Sequence, residues 1–463
     1  MSAELLVGVD VGTTLTKASV VGSDGTELAW GRAPTTWQQV PSGAETTAAQ
    51  LLSGVLAALA AALEAAPEGR VIGLGVTSMA EVAVLLGDDG LPVGRCIAWH
   101  DIRGEEEAEE LGSVFGTEEF SARTGLQLSH VATLAKLAWM ARHGGPRATR
   151  AMTVADWVVH ALGGRQGTEA SLASRTGALS LDGREWWSDG LAWAGAPARL
   201  FPPVEDAGAL RGRVSLAELS RQPGPGGAGP GPAHALARLE GATIASAGHD
   251  HLCVAAGTGV KGEDQVLDSC GTAEAFVRRV KPMSSVAVAE VVTTGLAVGW
   301  HAVPGSYALL TGHLLGLLFD RVFSLLGVEG LEAQVALDRA SNEATAGALR
   351  VEVDERSGTS SVLGIGQEAS PAALWAAVRR HTAARAARTL ATMESVAGPV
   401  GEVVLSGGRA NFAGLRTDRA KLARRLRWPA VTEAGARGAA LFGGCGAGLF
   451  SGPDDFPVPD EHL

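Results

Sequence analysis

The chain has 463 residues, 46% hydrophobic and 19% charged, with a formal net charge of −12. That length supports two or more domains with full-sized cores, and the acidity argues against nucleic acid or any extended phosphate backbone as a partner. The four cysteines, Cys96, Cys253, Cys270 and Cys445, are scattered and form no Cys-x-x-Cys pair, so they read as reduced thiols of a cytoplasmic protein, not as a disulfide or zinc framework.

The chain opens on Leu5–Ala18, an apolar run ending in Asp10, a turn holding Gly12, Thr13 and Thr14, and a second apolar run from Ala18. This reads as a buried β-hairpin. Its turn suits an anion: Gly12 permits close backbone approach, and the Thr hydroxyls and Lys17 add donors. Asp10 beside phosphates implies Mg²⁺ between them. An ordinary hairpin with a polar turn fits the same residues. No basic and apolar leader is visible, so no signal peptide is expected. The apolar run Val55–Leu63 is too short to span a bilayer, so no membrane partner is expected either. A strand is expected over Thr26–Trp30 and a helix over Leu51–Ala66. Short strands follow over Val71–Val76 and Val82–Leu86, then helices over Val131–Arg142 and Val154–Leu162. The run Arg221–Pro232 is dense in Pro and Gly and reads as a surface linker. Beyond it, Thr243–Ala247 reads as a strand entering Gly248-His249-Asp250-His251. Gln265–Asp268 and Ala275–Val280 form a second hairpin around Ser269-Cys-Gly271-Thr272, an echo of the first. Long helical patterns cover Tyr307–Leu326 and Pro371–Val396. Val403–Leu405 enters Ser406-Gly407-Gly408, and Asn411 is placed to cap a helix. Abundant Gly and Ala favour close packing of helices on sheets.

Three glycine turns therefore follow strands, at Asp10–Thr14, Ser269–Thr272 and Gly407–Asn411. Together they fit a nucleotide whose phosphates are held by two hairpins and whose base lies near the third. No Gly-x-x-x-x-Gly-Lys-Ser/Thr loop occurs, and no Gly-x-Gly-x-x-Gly follows a strand to support a dinucleotide site. Asp250 follows a strand, where a carboxylate can accept a hydroxyl proton during attack on a phosphate. Taken alone, it reads better as a helix cap. Trp99-His100-Asp101-Ile102-Arg103 offers an indole face beside a carboxylate and a guanidinium, a pattern suited to a sugar. A core Trp beside a surface ion pair would look the same. Glu81 ends the preceding strand and can accept from hydroxyls.

In order and spacing these segments resemble the FGGY carbohydrate kinases. The likeness runs through Asp10-x-Gly-Thr-Thr, Trp99-x-Asp-x-Arg103, Thr124-Gly-Leu, Lys136-Leu-Ala-Trp139, Ser171-Leu-Ala-Ser-Arg-Thr-Gly177, Gly248-His-Asp250, Ser269-Cys-Gly-Thr272, Gly407-Gly408 and Gly438-Ala-Ala. The resemblance implies an α/β chain of two actin-like (ribonuclease H-like) domains around a central cleft. They would be a sugar- and phosphate-binding domain over 1–243 and a nucleotide-binding domain over 244–463. It implies an ATP- and Mg²⁺-dependent kinase acting on a small sugar or polyol. Asp250 would be the general base, and Asp10 the metal contact. Gly12, Thr13, Thr14, Lys17, Gly271, Thr272, Gly407, Gly408 and Asn411 would lie at the nucleotide. Glu81, Trp99, Asp101, Arg103, His249 and His251 would lie at the acceptor. Glycerol kinases carry Arg-Glu where this chain has Ala80-Glu81, and xylulokinases carry Met-His. His249-Asp250 is similar to the His-Asp of deoxysugar kinases, and His251 departs from the family's usual Asn, Gln or Thr. The competing class is an actin-like ATPase or a nucleotide-dependent sugar sensor that transfers nothing to a sugar. No heptads appear, and a homodimer stays open.

Overall fold

The computed structural model describes residues 3–222, 233–271, 273–354, 359–367 and 369–462. Most of the Pro/Gly run and Thr272 of the second glycine turn lie outside the described residues. The chain forms two compact units. The first comprises Met1–Lys261, Lys281–Ala308 and Val431–Pro459, and the second Gly262–Val280, Leu309–Ala430 and Asp460–Leu463. A single cut at 243/244 therefore does not describe the division, because the strand at 243 and the helix from 434 both build the first unit's sheet layer.

The first unit is built on a six-stranded sheet. Its strands are β1 (Glu4–Val11), β2 (Leu15–Gly22), β3 (Glu27–Pro34), β4 (Arg70–Ser78), β5 (Leu210–Arg213) and β6 (Thr243–His249). Their spatial order is β5-β6-β4-β1-β2-β3. β1 and β2 pair antiparallel with Asp10 opposite Lys17, the expected hairpin. β1, β4 and β6 run parallel, with Val11 beside Ser78 and Ser78 beside His249. Their carboxyl ends are thus level along one edge. These strands read as continuous apolar runs because both faces are covered: every residue of β6, and every residue of β1 after Glu4, is buried.

Helix Ala434–Gly446 lies over β1, β4 and β6. It is made of small residues because it touches backbone. A Cβ on Gly75 would sit 1.7 Å from the Ala439 carbonyl oxygen, and one on Gly438 would sit 1.9 Å from that of Cys253. The abundance of Gly and Ala is thus used here for contact between helix and sheet. Backbone cannot yield as a flexible side chain can. Gly75→Ala should therefore cost about 3 kcal/mol, whereas Gly452→Ala, which meets nothing within 4 Å, should stay within about 0.5 kcal/mol of wild type. Urea midpoints of the two variants check this, and equal midpoints would refute the contact.

On β2 and β3 packs helix Ala48–Ala65, opened by a capping box between Thr47 and Gln50. It is longer than its most apolar run, and by length and composition alone it could cross a membrane. Its face of Leu51, Leu52, Val55, Leu59 and Leu63 is buried in the core.

In the second unit, strands Glu274–Val280, Gln265–Cys270, Glu402–Ser406 and Arg425–Arg427 lie side by side in that order. Ser269 pairs with Ser406 in parallel register, so the second and third glycine turns leave the sheet next to each other. Phe319, Phe323, Trp375 and Phe412 form an aromatic cluster beneath helix Pro371–Ala397, whose N-cap is Ser370. Two expectations fail here. Tyr307–Leu326 is not one helix: Tyr307–His313 is a strand and only Leu315–Leu325 is helical. An apolar run with no Pro between the two states leaves periodicity little to separate them. Asn411 caps nothing: it ends a 3₁₀ turn, its Nδ2 donates to the Gly408 carbonyl, and the helix starts at Ala413.

Candidate active site

The level ends of β1, β4 and β6 deliver three groups to one edge of the first unit. These are Asp10, the turn from Ser78 to Glu81, and His249-Asp250-His251. Ligands collect at such strand ends in α/β sheets. Asp10 is buried, and its Oδ1 has no hydrogen-bond partner. A Cβ on Gly435 would lie 2.4 Å from Oδ2, so the first turn of helix Ala434–Gly446 leaves room for this carboxylate only because it carries glycine there. Burial, and then the charge of Asp250, pushes the Asp10 carboxyl up to about 7, with Lys17 opposing. Lys17 Nζ lies 3.6 Å from Glu433 Oε2, and Glu433 also pairs with Arg32.

Asp250 is the first residue of helix Asp250–Gly257, and the N-cap is His249. Asp250 Oδ1 accepts from the N–H of His251 at 2.7 Å and lies 3.2 Å from His249 Nε2. It is therefore not the cap that its position suggested. Burial pushes Asp250 up, helped by Glu81 and opposed by the His251 N–H, Lys17 and Arg175. Burial lowers both His249 and His251, so both imidazoles are neutral at physiological pH. The turn before them is tight. Gly248 has φ of +101°, and a Cβ there would lie 2.6 Å from Ser171 Oγ. That hydroxyl accepts from the His249 N–H at 2.9 Å and donates to buried Glu169 at 2.6 Å.

Glu81 holds a left-handed backbone, φ +60°, which a non-glycine residue adopts at a cost. Arg175 Nε donates to its Oε1 at 2.6 Å. In the first glycine turn the Gly12 N–H is committed to the Leu15 carbonyl at 3.2 Å. The Thr13 hydroxyl is committed too: it accepts from Trp99 Nε1 at 3.0 Å and donates to Met79 Sδ at 3.7 Å. Among the described residues the N–H groups of Thr13 and Thr14 have no partner, and Thr14 is exposed. The anion donors left by this turn are thus backbone N–H groups and Lys17, not the Thr13 hydroxyl.

Trp99 is half-buried at the same edge, and its carbonyl accepts from Lys136 Nζ at 2.7 Å. Burial pushes Lys136 down to about 8, against Glu81 and Asp101. Asp101 and Arg103 are a correction to the expected sugar contacts. Both oxygens of fully buried Asp101 are filled, Oδ1 by Arg103 N and Nε, Oδ2 by Arg103 and by Ser42 and Ala44. Arg103 also bonds Glu45 at 2.7 Å and lies over the Trp139 ring. This pair braces the loop that carries Trp99. Sequence reasoning missed Arg175, Lys136 and Glu433 as parts of the site. The first two sit inside the quoted segments as charged residues among apolar ones, which was the available signal.

In the second unit, Gly407 has φ of +87°, and a Cβ there would lie 2.5 Å from the Cys270 carbonyl oxygen. The Cys270-Gly271 and Gly407-Gly408 turns are therefore in contact. A Cβ on Gly408 would meet nothing within 4 Å. Arg419, Asp268 and Glu274 form a fully buried ionic cluster beneath them.

Residues 5–224 match the N-terminal domain of the FGGY family of carbohydrate kinases. The match stops at residue 224 and so covers a little under half of the chain. An autoinducer-2 kinase of Photorhabdus laumondii is 30% identical over 224 residues, 46% of this chain and 42% of the relative. A glycerol kinase of Leifsonia xyli is 26% identical over 238 residues, 48% and 47% of the two chains. These matches span less than half the length of the curated relatives. A solved xylulose kinase of Rhodospirillum rubrum superposes with a TM-score of 0.81 at 25% identity, covering 99% of this chain and 93% of that one. The FGGY fold, with two actin-like domains, is the fold of this chain.

Proposed function

We propose that this chain is an FGGY carbohydrate kinase that transfers the γ-phosphoryl group of ATP to a hydroxyl of a small sugar or polyol, with Asp250 as general base. The observation that carries the reading is the level edge where Asp250, Asp10 and Glu81 meet at the ends of three parallel strands. Asp250 accepts the proton as the hydroxyl attacks. His249 and the His251 N–H hold its Oδ1, leaving Oδ2 for the acceptor. Trp99 and Glu81 face the acceptor, and neutral His251 adds a polar contact.

A buried carboxylate oxygen without a partner, on a group pushed up for lack of a countercharge, fits a cation at Asp10. Mg²⁺ bound with ATP supplies charge neutralisation at the phosphates. The N–H groups of Thr13 and Thr14, with Lys17, bind phosphate oxygens. In the second unit, this reading assigns Gly271, Gly407, Gly408 and Asn411 to the nucleotide.

The test is ADP release with ATP, Mg²⁺ and a panel of alcohols: autoinducer-2, glycerol, D-xylulose, L-fuculose and ribitol. At least one should raise ADP release about a hundredfold or more over the rate without acceptor. An equal rate with and without every alcohol would instead assign an ATPase.

A further inference from the structure

The Arg175–Glu81 pair does more than brace a turn. Only one guanidinium nitrogen, Nε, meets only one carboxylate oxygen, Oε1. The bracing pair Arg103–Asp101 engages both oxygens through the fork, and this one does not. Among the described residues the two terminal nitrogens of Arg175 and Oε2 of Glu81 have no hydrogen-bond partner. Neither side chain is sealed, with Arg175 18% and Glu81 10% exposed. Ser78, just before the turn that carries Glu81, pairs with His249, the neighbour of the base, so this turn leaves the sheet on the side of Asp250, and both side chains act on Asp250 electrostatically. The strained backbone of Glu81 is the kind of strain held at binding sites.

Resting on the kinase reading, we propose that Arg175 is a specificity-determining residue which, with Glu81, clamps two neighbouring hydroxyls of the acceptor. The guanidinium donates to one or both oxygens, and Glu81 Oε2 accepts from one hydroxyl. The pair is nearly neutral, and Asp250 adds negative charge within its electrostatic reach. An uncharged vicinal diol is therefore preferred over a sugar acid, whose carboxylate would compete with Glu81 for Arg175 and face Asp250.

The experiment compares wild type, Arg175→Lys and Arg175→Met by calorimetry and turnover. The probes are D-xylulose, 1-deoxy-D-xylulose, glycerol, ribitol and D-gluconate. A thermal melt and the KM for ATP report the integrity of each variant. For the neutral polyol that wild type binds best, Arg175→Met should weaken binding and raise KM about tenfold or more, with the KM for ATP unchanged within twofold. Arg175→Lys, which keeps charge but loses the fork, should fall between. D-Gluconate should bind wild type more weakly than that polyol. Unchanged polyol affinity in a folded Arg175→Met protein, or tighter binding of D-gluconate than of any neutral probe by wild type, would overturn the clamp and leave the kinase reading standing. Failure of wild type to bind or turn over any alcohol would overturn both.

Discussion

Asp250→Asn should bind ATP as tightly as wild type and lose turnover about 10³-fold. Asn keeps the shape of Asp and can still accept the His251 N–H bond made by Oδ1, so the turn it occupies has no reason to move. It cannot accept a proton from an attacking hydroxyl. The charge it removes is one that pushes Asp10 up, so Asp10 should hold its ionised form more readily in the variant. The sign for stability is opposite to the sign for activity. Asp250 is raised above its unfolded value by burial, so its contribution is most favourable below the unfolded pKa and is lost as pH rises through the folded one. At pH 8 the Asn variant should melt a few degrees above wild type, and the gap should narrow toward pH 5. Nucleotide calorimetry, steady-state turnover and melts at the two pH values together read this. Wild-type turnover in a folded Asp250→Asn protein would remove Asp250 from the chemistry.

What the sequence disclosed was local. The first hairpin could be read because two apolar runs flank a Gly-Thr-Thr turn, and strand register then follows from the turn. The three strand ends could be read in kind: glycine, hydroxyl and acid after an apolar run. Their meeting could not, because Asp10, Ser78 and His249 are brought level by parallel pairings that no local pattern encodes. The same limit explains Asp101 and Arg103. Indole, carboxylate and guanidinium in five residues look like a sugar subsite until Ser42, Ala44 and Glu45, more than fifty positions away, fill their hydrogen bonds. It also explains Tyr307–Leu326, where strand and helix follow each other inside one apolar run. Arg419 was invisible altogether, since both of its partners lie more than a hundred residues earlier.

Arg419→Met should be the most destabilising single change at an ionic site of the second unit, by about 3–5 kcal/mol at pH 8. Arg419 is fully buried; its Nε donates to Asp268 Oδ2 at 2.7 Å, and it also pairs with Glu274. Burial alone would lower the guanidinium, yet Asp268 and Glu274 outweigh it and hold Arg419 firmly charged. Glu274 is pushed up to about 8 by burial and by Asp268, even with Arg419 present. Without the cation, two carboxylates share a dry site, and at least one must take a proton for the fold to persist. A carboxylate raised in the folded state contributes stability that is full below its unfolded pKa and lost as pH rises through its folded pKa. The variant should therefore regain stability relative to wild type as pH falls from 8 toward 5, and adding Asp268→Asn and Glu274→Gln should restore much of the loss at pH 8. Cys270 and Glu274 face each other across the hairpin that carries Gly271, so nucleotide affinity should fall with stability and return with it. Urea midpoints across that pH range decide the matter. A loss below about 1 kcal/mol, or a loss independent of pH, would mean that the two carboxylates find other partners and that the cluster does not hold the glycine turn in place.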